Sequence, residues 1–394
     1  MPFEQCYQSF LDSNPYPREL KYYDLADDDA SSTYLNYQGQ KLINFSSSDY
    51  LGLAKHPLLI ARSQHYAQTL GVGSTASRLV SGNFSLYSQL EEKIAAAMGK
   101  PAALILGAGY QTNLSVLEAL LDPHVLKVKP LVFCDRLCHS SLLATTRFLA
   151  DLKRFQHNDL NHLALLLEKH AQETCPKFII VESIYSMDGD QLDFEKLIRL
   201  AKKHQVFLYV DDAHAVGVYG QSGYGKAPEY AADVNMIMGT FSKALGSFGA
   251  YIACSTVMRD YLINKCKGLI YSTGTSPAIL GAMDAALELL PHLQAERLRV
   301  AEYAVRLRAY LQQHDLDYGH SNTHIVPWII GDADETLRVS LLLQEQGILG
   351  ATIRPPSVPL GKSRIRFCLS AAHSEDDFEQ LLQAIGLVIP SRSR

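Results

Sequence analysis

The sequence predicts an α/β protein, with a large domain on a mostly parallel sheet and a smaller α+β domain at the C-terminal end. Three observations carry this. First, "AALIL" (102–106), "LVFC" (131–134), "KFIIVES" (177–183), "VFLYVDD" (206–212) and "AYIACS" (250–255) are almost continuously apolar. Strands buried on both faces of a parallel sheet read this way. Second, amphipathic segments separate them; in "DFEKLIRLAKKH" Phe194, Leu197, Ile198 and Ala201 share one helical face. Third, strands and helices follow a different order after residue 288, and 394 residues exceed what one simple core needs.

In chain order, residues 1–45 hold little periodic signal and read as an arm. Residues 46–288 form the α/β layer, with a further short strand around Val234, Met236, Ile237 and Met238. Residues 289–394 form the small domain. It opens with the long charged helix "QAERLRVAEYAVRLRAYLQQH", continues through the strand "HIVPWII" and reaches a helix ending at Gly347. The short strands "ATIRPP" and "RIRFCLS" come next, then a last helix with Ser374 as N-cap and Asp377 three residues on.

With 47% hydrophobic and 20% charged residues the composition is that of a globular protein, and a formal net charge of −5 argues against a polyanion-binding surface. No basic block suggests nucleic acid. The seven scattered cysteines read as free thiols of a reducing compartment. Cys134, Cys138 and His139 lack a second pair at ligand spacing, so no metal is expected. With no basic-then-apolar leader and no apolar run of membrane-spanning length, the expected location is cytoplasmic.

Two glycine loops differ in context. "GVGSTA" (71–76) matches G-x-G-x-x-A but follows a helical stretch, so it lacks the strand a dinucleotide site requires. "GAGYQTN" (107–113) lies between a strand and a helix, where backbone N–H groups and the helix dipole favour an anion. An ordinary tight turn is the alternative. A phosphate-bearing cofactor is the functional reading.

"YVDDAHAVG" (209–217) puts two aspartates and a histidine at the C-terminal end of a buried strand, where open sheets bind ligands. "TFSKALGSFGA" (240–250) places Lys243 just past another strand, among small and apolar neighbours. An ammonium is costly to bury without a partner, so Lys243 either snorkels to solvent or is held there for chemistry. An acid, a lysine and a phosphate cup at one sheet edge are the parts needed for pyridoxal phosphate. The lysine forms a Schiff base with the aldehyde, and the carboxylate keeps the pyridine nitrogen protonated.

"TFSKALGSFGAYI", "VDDAHAVG", "IYSMDGD" and "FSSSDYLGLAKHP" are similar to the α-oxoamine synthases. These are fold-type-I pyridoxal phosphate transferases that join an amino acid to an acyl thioester with loss of CO₂. The resemblance runs from about residue 40 to the C-terminus. "RFQHNDLNHL" (154–163) and "TIRPPSVPLGKSRIRFCLSAAH" (352–373) resemble the biotin-pathway member, which takes L-alanine and a pimeloyl thioester on coenzyme A or a carrier protein.

The resemblance implies these roles. Lys243 is the Schiff-base lysine, Asp211 pairs with the pyridine nitrogen, and His214 contacts the ring hydroxyl. His139 stacks on the ring and assists proton transfer. Gly109 and Tyr110 supply backbone donors to the phosphate, Thr240 adds a hydroxyl, and Ser186 lies beside the cofactor oxygen. Arg366 holds the substrate carboxylate, and Ser357 stands where the family has a substrate-contacting threonine. Ser272 and Thr273, in "IYSTGTSPA", reach the partner subunit's phosphate, which implies a homodimer. Three positions depart from the family: Ser48 replaces a carboxylate-holding asparagine, Ala215 replaces a glycine, and a substrate-contacting arginine of the arm aligns with Lys21.

Overall fold

The computed structural model describes residues 3–25 and 33–389. Seven strands make the large sheet: β1 (Ala102–Leu106), β2 (Leu131–Asp135), β3 (Asp151–Phe155), β4 (Lys177–Glu182), β5 (Phe207–Asp211), β6 (Met236–Thr240) and β7 (Ala250–Cys254). Their order is β1-β7-β6-β5-β4-β2-β3, with β7 antiparallel to both neighbours and the pairs from β6 to β3 parallel. Buried side chains form one core cluster on each face of the sheet. The near-continuous apolar runs therefore have the double burial they imply. The helix Phe194–His204 buries Phe194, Leu197, Ile198 and Ala201, the face read from its spacing.

β3 is absent from the sequence expectation. It is an edge strand reading DLKRF, and only Phe155 is buried, so nothing in its composition marks it. The opposite edge, β1, is covered by side chains instead of a strand. Glu91 accepts the Ile105 N–H at 2.7 Å, Arg78 donates to the Ile105 carbonyl at 2.8 Å, and the two side chains pair at 2.6 Å.

The C-terminal elements follow the sequence reading closely. The helix Gln294–Gln313 and the strand Ile325–Gly331 are followed by the helix Ala333–Glu345, which ends before Gly347 at φ +81°. Ala351–Ile353 and Ser363–Cys368 flank the "IRPPSVP" segment, and the order Ile325–Gly331, Ser363–Cys368, Ala351–Ile353 makes an antiparallel sheet. Glu375–Val388 starts at Ser374 with the reciprocal Ser374–Asp377 capping box.

The arm is more ordered than its composition suggests. Tyr34–Tyr37 and Gln40–Asn44 form a hairpin across Gln38 (φ +51°) and Gly39 (φ +82°), and Gln40–Asn44 runs parallel to Ile348–Leu349. Chain leaving this hairpin is pinned on both sides. The Cys368 N–H donates to the Phe45 carbonyl at 2.7 Å, and the Ala371 N–H to the Tyr50 carbonyl at 2.9 Å. Ser48 and Tyr50 are thereby delivered to the C-terminal edge of the large sheet. Of the arm, residues 1–2 and 26–32 lie outside the described residues.

All seven cysteines are free thiols. Among the described residues no helix is long and apolar enough to cross a membrane.

Candidate active site

The site is assembled at the C-terminal ends of the parallel strands. Asp211, the last residue of β5, is held from two sides: Asn113 Nδ2 donates to Oδ2 at 2.7 Å, and the Ala213 N–H donates to Oδ1 at 3.0 Å. Asn113 gives its other amide hydrogen to Ser141 Oγ (3.0 Å) and accepts from the Tyr209 hydroxyl (2.6 Å), so every polar atom of its amide is used. Asp212 faces elsewhere and accepts the Ala227 N–H at 3.1 Å. Alternation along the strand separates the two carboxylates, as expected. Burial pushes Asp212 up to about 6.

His139 caps the short helix Ser140–Ala144. Its Nδ1 accepts from the Ser141 N–H at 3.3 Å and lies 2.7 Å from the Ser141 hydroxyl. Those contacts leave the proton of the neutral ring on Nε2, free to be donated. Burial, with Lys243 adding to it and Asp211 opposing, lowers the imidazole below its ordinary range. The His139 backbone N–H donates to Glu182 Oε1 at 2.5 Å. Burial, with Asp211 on the adjoining strand, raises Glu182 to about 8.

Lys243 follows β6 by three residues. Among the described residues its amine makes no hydrogen bond or ion pair; burial lowers it to about 8 against the pull of Asp211 and Glu182. His214 is buried and pairs through Nδ1 with the Tyr50 hydroxyl at 2.8 Å. Its own burial, then the cations Lys243 and Arg366, keep it neutral.

The expected phosphate cup is the start of the helix Gly109–Leu120, whose N-cap, Ala108, offers no side-chain cap. A side chain at Gly109 would stand 3.2 Å from Met238 Cε and 3.8 Å from Thr240 Oγ1, so the loop lies against the end of β6. Thr240 Oγ1 is held by the Gly249 carbonyl at 2.9 Å. Ser272 Oγ accepts from Gln111 Nε2 at 2.7 Å, which puts "YSTGTS" beside this loop of its own chain. Thr273 forms a backbone bridge with Ser77. "GVGSTA" follows the helix Pro57–Leu70, as its context implies, and packs against the same segment: Ser74 Oγ donates to the Gly274 carbonyl at 2.5 Å.

Arg366 lies on Ser363–Cys368 and donates from Nη1 to the Ser186 carbonyl at 3.2 Å, while its buried Nε has no partner among the described residues. Two residues earlier, Arg364 bonds the Met187 carbonyl (2.9 Å) and Asp188 (2.8 Å), fastening the strand to the loop that carries Ser186. Ser357 is exposed and accepts from Arg18 Nη2 at 2.9 Å. Arg18 reaches the "IRPPSVP" segment, whereas Lys21 lies 5.3 Å over the Tyr37 ring.

The residues fit pyridoxal phosphate. An amine and a guanidinium nitrogen without hydrogen-bond partners among the described residues, an anchored carboxylate and uncapped helix N–H groups are the kinds of group that the cofactor and an amino acid would require. Sequence reasoning missed Asn113, Tyr50, Ser141, Glu182 and Arg18. Asn113 and Tyr50 stand inside motifs already singled out, and only their contacts reveal them.

Residues 40–385 match the aminotransferase class I and II family. A putative 8-amino-7-oxononanoate synthase of Paramagnetospirillum magneticum is 51% identical over 88% of both chains. An 8-amino-7-oxononanoate synthase of Gluconacetobacter diazotrophicus is 46% identical, also over 88% of both. The chain belongs to the α-oxoamine synthases. Solved structures agree with this α-oxoamine synthase in fold. The Sphingomonas wittichii serine palmitoyltransferase matches with a TM-score of 0.87 at 25% identity, covering 98% of this chain and 96% of that one. The 8-amino-7-oxononanoate synthase of Francisella tularensis matches with a TM-score of 0.75 at 24% identity, covering 88% and 96%. The α-oxoamine synthase is thus a fold-type-I, pyridoxal phosphate-dependent acyltransferase.

Proposed function

We propose that this enzyme condenses L-alanine with a pimeloyl thioester, releasing CO₂ and the thiol and forming 8-amino-7-oxononanoate. The observation that carries the reading is the 51% and 46% identity to relatives of that name over 88% of the chain, with the lysine–aspartate–histidine set complete.

Gly109, Tyr110 and Thr240 would hold the cofactor phosphate, Lys243 would bond its aldehyde, Asp211 would hold positive charge at its ring nitrogen, and His214 and Ser186 would meet its hydroxyl side. Bound there, pyridoxal phosphate supplies an electron sink for negative charge at the amino acid's α-carbon. Arg366 offers its unpaired Nε to the alanine carboxylate, with Ser48 nearby in place of the family asparagine. Once the amino acid's amine has taken its place at the aldehyde, the freed Lys243 Nζ would take the α-proton; a free amine lowered to about 8 is a competent base near neutral pH. His139 donates its Nε2 proton or hydrogen bond to the thioester oxygen as charge develops there. Arg18 and Ser357 close the acyl side.

We further propose a homodimer in which Ser272 and Thr273 reach the partner subunit's cofactor phosphate. Val72, Val80 and Tyr271 are each 80% exposed on two loops bonded to each other, an apolar patch suited to a second copy. A product assay crossing alanine and glycine with acetyl, succinyl and pimeloyl thioesters, on coenzyme A and on carrier protein, tests the reaction. Alanine with pimeloyl should dominate. One methyl group is worth only about 1–3 kcal/mol in a pocket, so measurable glycine turnover is compatible with it. Preference for glycine with a short acyl chain would overturn it.

A further inference from the structure

The chemistry above leaves unused a buried charged cluster centred on His157. Its Nδ1 lies 2.9 Å from Asp135 Oδ1 and its Nε2 3.1 Å from Asp190 Oδ1. Two carboxylates on two ring nitrogens require a proton on each, so the group is an imidazolium. Asn158 doubles the grip: its N–H donates to Asp135 Oδ2 at 2.6 Å and its Nδ2 to Asp190 Oδ2 at 2.7 Å. The Leu137 N–H also donates to Asp135, and the Tyr185 ring stands edge-on to the imidazole at 4.6 Å.

The two aspartates sit at matching places. Asp135 ends β2, four residues before His139, and Asp190 lies four residues after Ser186 in the loop following β4. His157 arrives from the loop after β3 and touches both.

We propose that His157 is a positioning residue: with Asn158 it fixes the separation of the loops carrying His139 and Ser186. It thereby sets how His139 meets the cofactor ring and how the Ser186 carbonyl meets Arg366. Burial works against the charge, yet Asp135 and Asp190 hold the imidazole up to about 10, so the clamp persists across physiological pH. The phosphate end of the cofactor is held from other elements, by Gly109, Tyr110 and Thr240. Loosening the clamp therefore disturbs the ring and the reacting groups while sparing the phosphate.

This rests on the placement of His139 and Ser186 around the cofactor, not on which thioester is used. The test uses the full-length holoenzyme as His157→Gln, His157→Ala and Asp190→Asn variants. Readouts are kcat, KM for the amino acid, cofactor Kd by titration, visible circular dichroism of the bound cofactor, and the thermal midpoint. Asp190→Asn keeps both loop contacts, because its amide can donate to a neutral imidazole and accept from Asn158. For His157→Gln, kcat falls about 10–100-fold with altered visible dichroism and a cofactor Kd within about threefold, as a small misplacement predicts. For Asp190→Asn, kcat and dichroism stay close to the parent. Should His157→Ala fail to fold, the other two variants decide. Parental kcat and dichroism in His157→Gln overturn the proposal. So does a loss of activity that only follows the folded fraction, or an Asp190→Asn variant as impaired as His157→Gln. Because the dichroism reports the ring before any thioester is added, an error in the assigned substrates leaves this result readable.

Discussion

Lys243 and Asp211 show what a single side chain contributes here. Lys243 is a partly buried amine with no hydrogen-bond or ion-pair partner among the described residues, so its cost falls on the cofactor-free fold. A lysine lowered to about 8 against 10.5 binds its proton less readily when folded, so the penalty is present below pH 8 and gone above about 10.5. Cofactor-free Lys243→Ala should therefore fold, show a higher thermal midpoint than the parent at pH 7, lose that advantage by pH 10.5, and have no turnover. A lower midpoint at pH 7 would contradict this. Asp211 differs from Asp212 in what it touches, which is the network through Asn113 to Ser141 and His139. Asp211→Asn should cost on the order of 10²–10³-fold in kcat, the scale of losing an electrostatic partner at a reacting centre. Asp212→Asn should affect mainly the thermal midpoint, since its partner is the Ala227 N–H. Equal kinetic losses would assign the wrong face. The sequence made these residues legible because lysine, aspartate and histidine are chemically conspicuous at strand ends. Asn113 and Tyr50 were not, because an amide or a phenol in a motif acquires meaning only from its partners.

Elements were legible where burial is two-sided and obscure where it is one-sided. β2, β4, β5 and β7 announce themselves by apolar runs, whereas β3 reads DLKRF because one edge and much of its surface face water. The hairpin Tyr34–Asn44 carried a signal in its Gln38-Gly39 turn between alternating residues, hidden by the polar composition around it. β3 nonetheless delivers the loop that ties β2 to β4. A histidine raised to about 10 from 6.5 stabilises the fold fully below pH 6.5 and loses that contribution as pH rises through 10. The thermal midpoint of the parent should thus exceed that of His157→Gln most at pH 6, and the gap should narrow by pH 10. A gap independent of pH would mean that the charge of the clamp contributes nothing.

For the whole molecule, the proposal of a shared-site dimer makes a quantitative prediction. Lys243→Ala and Thr273→Glu homodimers should each be inactive. Hybrids would hold one intact site and one doubly defective site, so random 1:1 exchange should restore about a quarter of parental activity. Restoration of none would place Thr273 at its own chain's cofactor. A molecule that pairs as proposed must also stay dissolved while its apolar loops find a second copy. Here the Arg78–Glu91 pair over β1 has a further consequence. With the Ile105 N–H and carbonyl both occupied, the template that this edge of the large sheet offers is interrupted near its middle. The other edge, β3, presents Lys153 and Arg154, whose charges discourage stacking. The proposed meeting of two subunits through loops around their active sites is thereby favoured over joining of their sheets edge to edge, which would keep assembly finite and steer it away from fibres.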